Sequence, residues 1–64
     1  MGMKFTLEIS CDNAAFGETP DEITEEVRRI LEWTAPRLYR AQGSLELRDS
    51  NGNKVGAAKF EGGR

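Results

Sequence analysis

The segment Asp49-Ser50-Asn51-Gly52-Asn53 lies between two short alternating runs, Ser44-Leu45-Glu46-Leu47-Arg48 and Lys54-Val55-Gly56-Ala57-Ala58-Lys59-Phe60. Asn-Gly between such runs is the strongest short-range signal for a β-hairpin, because the turn needs residues that tolerate positive φ. A hairpin over 44–60 therefore constrains the fold before anything else is known. Two registers compete. A two-residue turn pairs Leu47 with Gly56 and Leu45 with Ala58, and puts Phe60 on the core face. A three-residue turn with Gly52 left-handed pairs Leu47 with Val55, and leaves Phe60 out of phase unless Gly56 supplies a bulge. Asp49 favours the second, since aspartate is preferred ahead of a type I turn.

Upstream, Met3, Phe5, Leu7, Ile9 and Cys11 alternate with Lys4, Thr6, Glu8 and Ser10. Period two over this stretch predicts a strand at 3–11 with one apolar and one wet face. Asp12-Asn13-Ala14-Ala15-Phe16-Gly17 breaks the alternation and reads as a connecting loop.

Thr19-Pro20-Asp21-Glu22 signals a helix start, with threonine as cap, proline at the first helical position and Glu22 closing a capping box. Ile23, Val27, Ile30, Leu31, Thr34 and Leu38 then share one helical face. Glu25 and Arg29 are spaced as an i,i+4 ion pair on the other side, and Glu22 and Glu26 read as surface carboxylates. Pro36 interrupts the pattern, because it removes a hydrogen bond and crowds the preceding turn. Either the helix ends near Trp33-Thr34-Ala35 and a short turn follows from Pro36 to Arg40, or one helix at 20–41 continues with a kink. The second is preferred, since Leu38 and Ala41 stay on the apolar face. Gly43 follows as the C-cap.

These elements give one domain over residues 1–64, in an α+β, β-α-β-β order. A three-stranded, mainly antiparallel sheet carries one helix packed on one face. The first strand could pair antiparallel with the third or parallel with the second, and the third strand is favoured as the centre. Residues 61–64 read as a frayed tail.

With 64 residues, such a chain buries only about 60% of its unfolded surface. A single cysteine allows no internal disulfide, and with no histidine present a structural zinc site lacks ligands. Self-association as a homodimer is thus open on size alone. The net charge of −2 and a pI near 5.0 argue against nucleic acid as a partner. No apolar run reaches the ~20 residues of a membrane span, no secretory leader precedes the first strand, and a free thiol fits a reducing compartment. The expected location is cytoplasmic. Met3 reads as an alternative start behind Met1-Gly2. Met1 to Thr6 also fits the short myristoylation pattern, but Thr6 lies within the strand.

The residues offer little catalytic chemistry. No histidine is available as a base, and Gly43, Gly52 and Gly56 each have a cap, turn or bulge reading rather than a phosphate-loop one. Cys11 ends an apolar stripe and reads as a structural thiol. Asp49-x-Asn51-x-Asn53 places oxygens at alternate positions as in an EF-hand. That loop needs glycine at its sixth position and glutamate at its twelfth, where this chain has Lys54 and Phe60. The expectation is no catalytic, cofactor or metal site, and no enzyme.

Binding chemistry is better represented. Tyr39 lies beside Arg37 and Arg40 and is hard to bury, and tyrosine and arginine are enriched at binding hot spots. Trp33 flanks the apolar stripe, where it either seals the core edge or joins the same surface. Arg37, Tyr39, Arg40 and Trp33 are therefore the candidate partner-binding residues. The wet sheet face, with Lys4, Thr6, Glu8, Ser10, Glu46 and Arg48, is the second candidate surface.

Three stretches carry a resemblance: Met3-Lys4-Phe5-Thr6-Leu7 with Asp12-Asn13-Ala14-Ala15-Phe16, then Arg29-Ile30-Leu31, then Arg48 through Gly56. Together they resemble short, uncharacterised phage and prophage proteins, from which the Trp33-Thr34-Ala35-Pro36 segment departs. The resemblance implies a phage or mobile-element accessory protein. Its activity would be stoichiometric binding of a host protein or complex in the host cytoplasm, as in anti-CRISPR inhibitors of bacterial defence. The alternative is a small nucleic-acid-binding or regulatory module.

Overall fold

A computed structural model describes residues 2–62. The chain runs through β1 (Met3–Ile9), a 3-10 turn (Ala14–Phe16), α1 (Pro20–Thr34), a 3-10 segment (Ala35–Gln42), β2 (Leu45–Arg48) and β3 (Lys54–Gly62). β3 is central in a three-stranded antiparallel sheet of order β1-β3-β2, and helical structure packs on one face. The expected α+β architecture and the central third strand are both present.

α1 begins as its sequence dictates. The Thr19 hydroxyl accepts the Glu22 N–H at 3.2 Å, and the Glu22 carboxylate accepts the Thr19 and Glu18 N–H groups at 3.1 and 2.9 Å. These bonds satisfy donors that a helix start leaves unpaired, and they hold the Glu22 carboxyl below its ordinary range.

The end of α1 differs from a kinked helix at 20–41. α-Helical bonding stops at Thr34 and a 3-10 segment carries the chain to Gln42. Pro36 has no N–H and crowds the turn before it, so the backbone tightens rather than bends. Gly43 follows with φ of −97°, so it caps without entering the left-handed region.

The hairpin combines features of both expected registers. Gly52 is left-handed at φ 86°, its N–H donates to the Asp49 carbonyl, and the Asp49 N–H donates to the Asn53 carbonyl. That is the three-residue turn. Beyond it Arg48 pairs with Lys54, but Leu47 pairs with Gly56 and Leu45 with Ala58. Val55 is the extra residue of a bulge, which restores the phase. Val55 and Ala58 are buried and Phe60 packs against the same core. At Gly56 an added Cβ would lie 1.8 Å from the Glu8 carbonyl oxygen, so only glycine fits this bulge against β1.

Other boundaries shift as well. The ladder of β1 ends at Ile9 rather than residue 11, with a last bond from Ser10 N–H to the Val55 carbonyl, where the bulge bends β3. Residues 61 and 62 belong to β3, paired with Lys4 and Met3, rather than to a tail, and the rest of the expected tail lies outside the described residues.

The core comprises Phe16, Ile30, Ala41, Leu45, Leu47, Val55 and Ala58, with Leu7, Ile9, Cys11, Ile23, Val27 and Phe60 against it. Leu31 and Leu38, expected on the buried face, are exposed at its margins. A helix is ~10 Å across and strands are ~4.8 Å apart, so one helical layer covers about two strands. α1 and the second 3-10 segment lie over β2 and β3. β1 is left half-covered, with Met3 59% and Phe5 42% exposed and Phe5 against Phe60 at 4.8 Å between ring centroids.

Candidate functional site

The switch from α1 to the 3-10 segment builds the candidate surface. In 3-10 bonding the donor for the Trp33 carbonyl would be the N–H of the residue three positions on, and that residue is Pro36. The Arg37 side chain supplies the donor instead, with Nη1 at 2.6 Å from the Trp33 oxygen. The same bond lays the guanidinium over the indole ring, 4.3 Å from its centroid. A cation over an aromatic face is attracted by the ring quadrupole, by ~0.5–1 kcal/mol at an exposed site. The proline that ends α1 thus orders Trp33 and Arg37 together.

Tyr39 and Arg40 form a second unit. The Arg40 Nε donates to the Tyr39 hydroxyl at 3.3 Å, and its guanidinium stands 5.7 Å from the ring centroid. Tyr39 is 68% exposed and Trp33 39% exposed, so neither ring is consumed by the core. All four expected residues are therefore on or near the surface, in two stacked Arg–aromatic pairs. The flank of Trp33 also lines a groove of about 320 Å³ between α1 and the hairpin, with Arg29, Ile30, Glu46, Arg48 and Asp49.

Below that groove sits a polar network that sequence patterning missed. Glu26 is buried rather than on the solvent face. Its carboxylate accepts Arg29 Nη2 at 2.9 Å and the Ser50 N–H at 2.9 Å, so α1 caps the hairpin turn. The bond from Arg29 leads in holding the Glu26 carboxyl below its ordinary value, against the opposing effect of burial. The expected Glu25–Arg29 pair is replaced by Glu26–Arg29, and Arg28 instead bridges Glu25 and Glu32. Arg29 takes the partner that the hairpin has drawn inward, where an ion pair is less screened.

Asp49 is the other end of the network. Its carboxylate accepts the Asn51 and Asn53 N–H groups, each at 2.9 Å, and Asn13 Nδ2 at 2.6 Å. Burial pushes this carboxyl up, but these bonds outweigh it and leave the group below its ordinary value. Of the side chains that resembled calcium ligands, Asp49 has both oxygens engaged, by the turn N–H groups and by Asn13 Nδ2. Asn13 ties the loop after β1 to the hairpin, so the loop and turn motifs serve each other structurally.

The second candidate surface, the wet sheet face, carries paired charges. Glu46 meets Arg48 at 2.6 Å and Lys54 at 3.8 Å, and Lys59 meets Glu61 at 2.7 Å. Cys11 is half-buried against the core. No helix is long and apolar enough to cross a membrane among the described residues. No family model, curated protein or solved structure matches the chain.

Proposed function

We propose that this chain is a non-enzymatic binding module that contacts a protein partner stoichiometrically through Trp33, Arg37, Tyr39 and Arg40. The observation that carries the reading is the stacking of Arg37 on an exposed Trp33, held by the guanidinium bond to the Trp33 carbonyl. Aromatic and arginine side chains ordered before contact lose less entropy on binding, and these residue types dominate measured hot spots. The sharper form is a phage or mobile-element accessory protein that blocks a bacterial defence complex such as CRISPR interference. That form rests on the resemblance of the strand, loop and turn motifs.

The test is affinity capture from a lysate of a CRISPR-positive bacterium, using wild type and the Tyr39→Ala/Arg40→Ala variant, with phage plating on strains that express each. A defense-complex subunit captured near 1:1 by wild type and lost by a variant of unchanged urea midpoint supports the reading, as does raised plating with wild type only. Equal capture by both proteins, or unchanged plating, refutes it. Binding to nucleic acid that collapses as salt rises would favour the regulatory alternative instead.

A further inference from the structure

We propose that two copies of the chain pair through the open edge of β1, antiparallel and centred on Thr6, to form a continuous six-stranded sheet. β1 is one edge of the sheet and pairs with β3 without a bulge over its seven residues. Long, regular edges are normally shortened, bulged, covered or interrupted by proline, because their free N–H and C=O groups recruit another strand. β1 is neither short, bulged nor broken by proline, and the edge charges it carries, Lys4 and Glu8, are of opposite sign, whereas the opposite edge, β2, is four residues long and bulged.

The ladder fixes which groups are free. The bond from Ser10 N–H to the Val55 carbonyl, with Ile9 opposite Gly56, sets the alternation of β1 against β3. The backbone groups of Lys4, Thr6 and Glu8 point toward β3, and those of Met3, Phe5, Leu7 and Ile9 point outward. A second β1 must therefore bond through its own odd-numbered residues.

Sequence selects one register among those that remain. With Thr6 opposite Thr6 of the second copy, Met3 meets Ile9, Phe5 meets Leu7, and Lys4 meets Glu8, each twice by symmetry. Every apolar residue faces an apolar one, and every charge faces its opposite. Centring on Lys4 or Glu8 would oppose like charges, and centring on Phe5 or Leu7 would leave Lys4 and Glu8 unmatched. Within the chain Lys4 is attracted to Glu61, opposite it on β3, and Glu8 to Lys59, but among the described residues neither comes within ion-pair contact of a partner. They fall at the non-hydrogen-bonded positions of the new ladder, where side chains approach most closely and opposite charges stabilise.

The half-covered apolar face gives the same answer. Met3 and Phe5, left bare by the single helical layer, would join Leu7 and Ile9 of the second copy in one apolar strip between the two helical layers. The contact is isologous, so it closes at two copies and does not propagate.

Sedimentation equilibrium across a concentration series tests this, with Lys4→Glu, Glu8→Lys, their combination in one chain, and an equimolar mixture of the two single variants. Expected is a wild-type mass that rises to twice 7.1 kDa, with each single variant monomeric at the same concentration. The combined variant and the mixture both return to the doubled mass, because each restores Lys–Glu pairing. Circular dichroism confirms that each variant is folded, and the mixture remains decisive if the combined variant is not. A wild type that stays at 7.1 kDa to millimolar concentration overturns the proposal. So does a dimer that both single variants retain, or a mixture that stays monomeric. The result is independent of capture through Trp33 and Tyr39, which lie on other elements.

Discussion

Gly56→Ala is the sharpest perturbation the fold offers, because its added methyl meets only backbone. The new Cβ would stand 1.8 Å from the Glu8 carbonyl oxygen, 2.9 Å from the Glu8 carbonyl carbon and 3.0 Å from the Ile9 Cα. No side chain can rotate out of the way. The oxygen contact must open to about 3.4 Å, the ordinary van der Waals limit, so β1 has to move away from the bulge. That movement stretches the Ser10–Val55 bond, now 2.8 Å, and loosens Leu7 and Ile9 against the core. Overpacking costs ~1–3 kcal/mol, and a weakened pair of ladder bonds ~0.5–1.5 kcal/mol each. Together they cost about 2–6 kcal/mol, against about 3–10 kcal/mol for a whole domain of this length. With a urea slope of ~1 kcal/mol/M, the unfolding midpoint should fall by about 2 M or more. Gly43→Ala is the matched control, since its Cβ meets nothing within 4 Å and its φ is −97°. That variant should stay within ~0.5 kcal/mol of wild type. If Gly56→Ala matches Gly43→Ala in a urea melt, the bulge and the register of β1 on β3 are wrong.

Pro36→Ala restores an N–H that can donate to the Glu32 carbonyl and removes the ring that crowds the preceding turn, so α-helical bonding should extend past Thr34, give the Trp33 carbonyl to the Arg37 backbone N–H and release the Arg37 guanidinium. Circular dichroism at 222 nm should deepen and Trp33 fluorescence should change, and unaltered spectra would refute the part assigned to proline. Thr19→Ala removes one half of the capping box and should cost ~1 kcal/mol in a urea melt; no loss would mean the cap contributes nothing. Glu26 is held below its ordinary 4.5, so its contribution is complete above that pH and is lost as pH falls through the lower folded value. Thermal midpoints should therefore drop as pH falls below about 4.5, and Glu26→Gln should flatten that slope while lowering the midpoint at pH 7. An unchanged slope would remove Glu26 from the acid response.

What the sequence made legible was local. The capping box at Thr19 and Glu22, the alternation of β1 and the turn at Gly52 each depend on residues within a few positions. Glu26 was misread because its burial is created by Ser50, 24 residues away, and charge spacing along a helix carries no trace of that contact. The bond from Asn13 to Asp49 spans 36 residues and was equally hidden. The hairpin register was half-legible, because turn chemistry and hydrophobic phase favoured different pairings and the Val55 bulge satisfies both. At the candidate site, the residue types were readable and their coupling was not. The Trp33–Arg37 contact needs the change from α to 3-10 bonding, and proline announces an interruption without saying which form it takes.

The same distinction bears on how the two surfaces would work together. Alternation identified the apolar side of β1 but could not say how far a helix covers it; helix width against strand spacing leaves it half-covered, with Leu7 and Ile9 against the core and Met3 and Phe5 exposed. Trp33 shares a groove with Glu46 and Arg48 of β2, at the sheet edge opposite β1. Pairing through β1 would therefore leave both Trp33 surfaces uncovered, on the far flanks of a two-fold assembly. A binding module of this size presents few anchors, and two symmetric copies raise occupancy on a partner that repeats its own surface without any new contact. Lys4→Glu should then leave binding to a single immobilised partner site unchanged while hastening release from a densely repeated one. Equal release rates from the dense surface for wild type and Lys4→Glu would show that the two surfaces act separately.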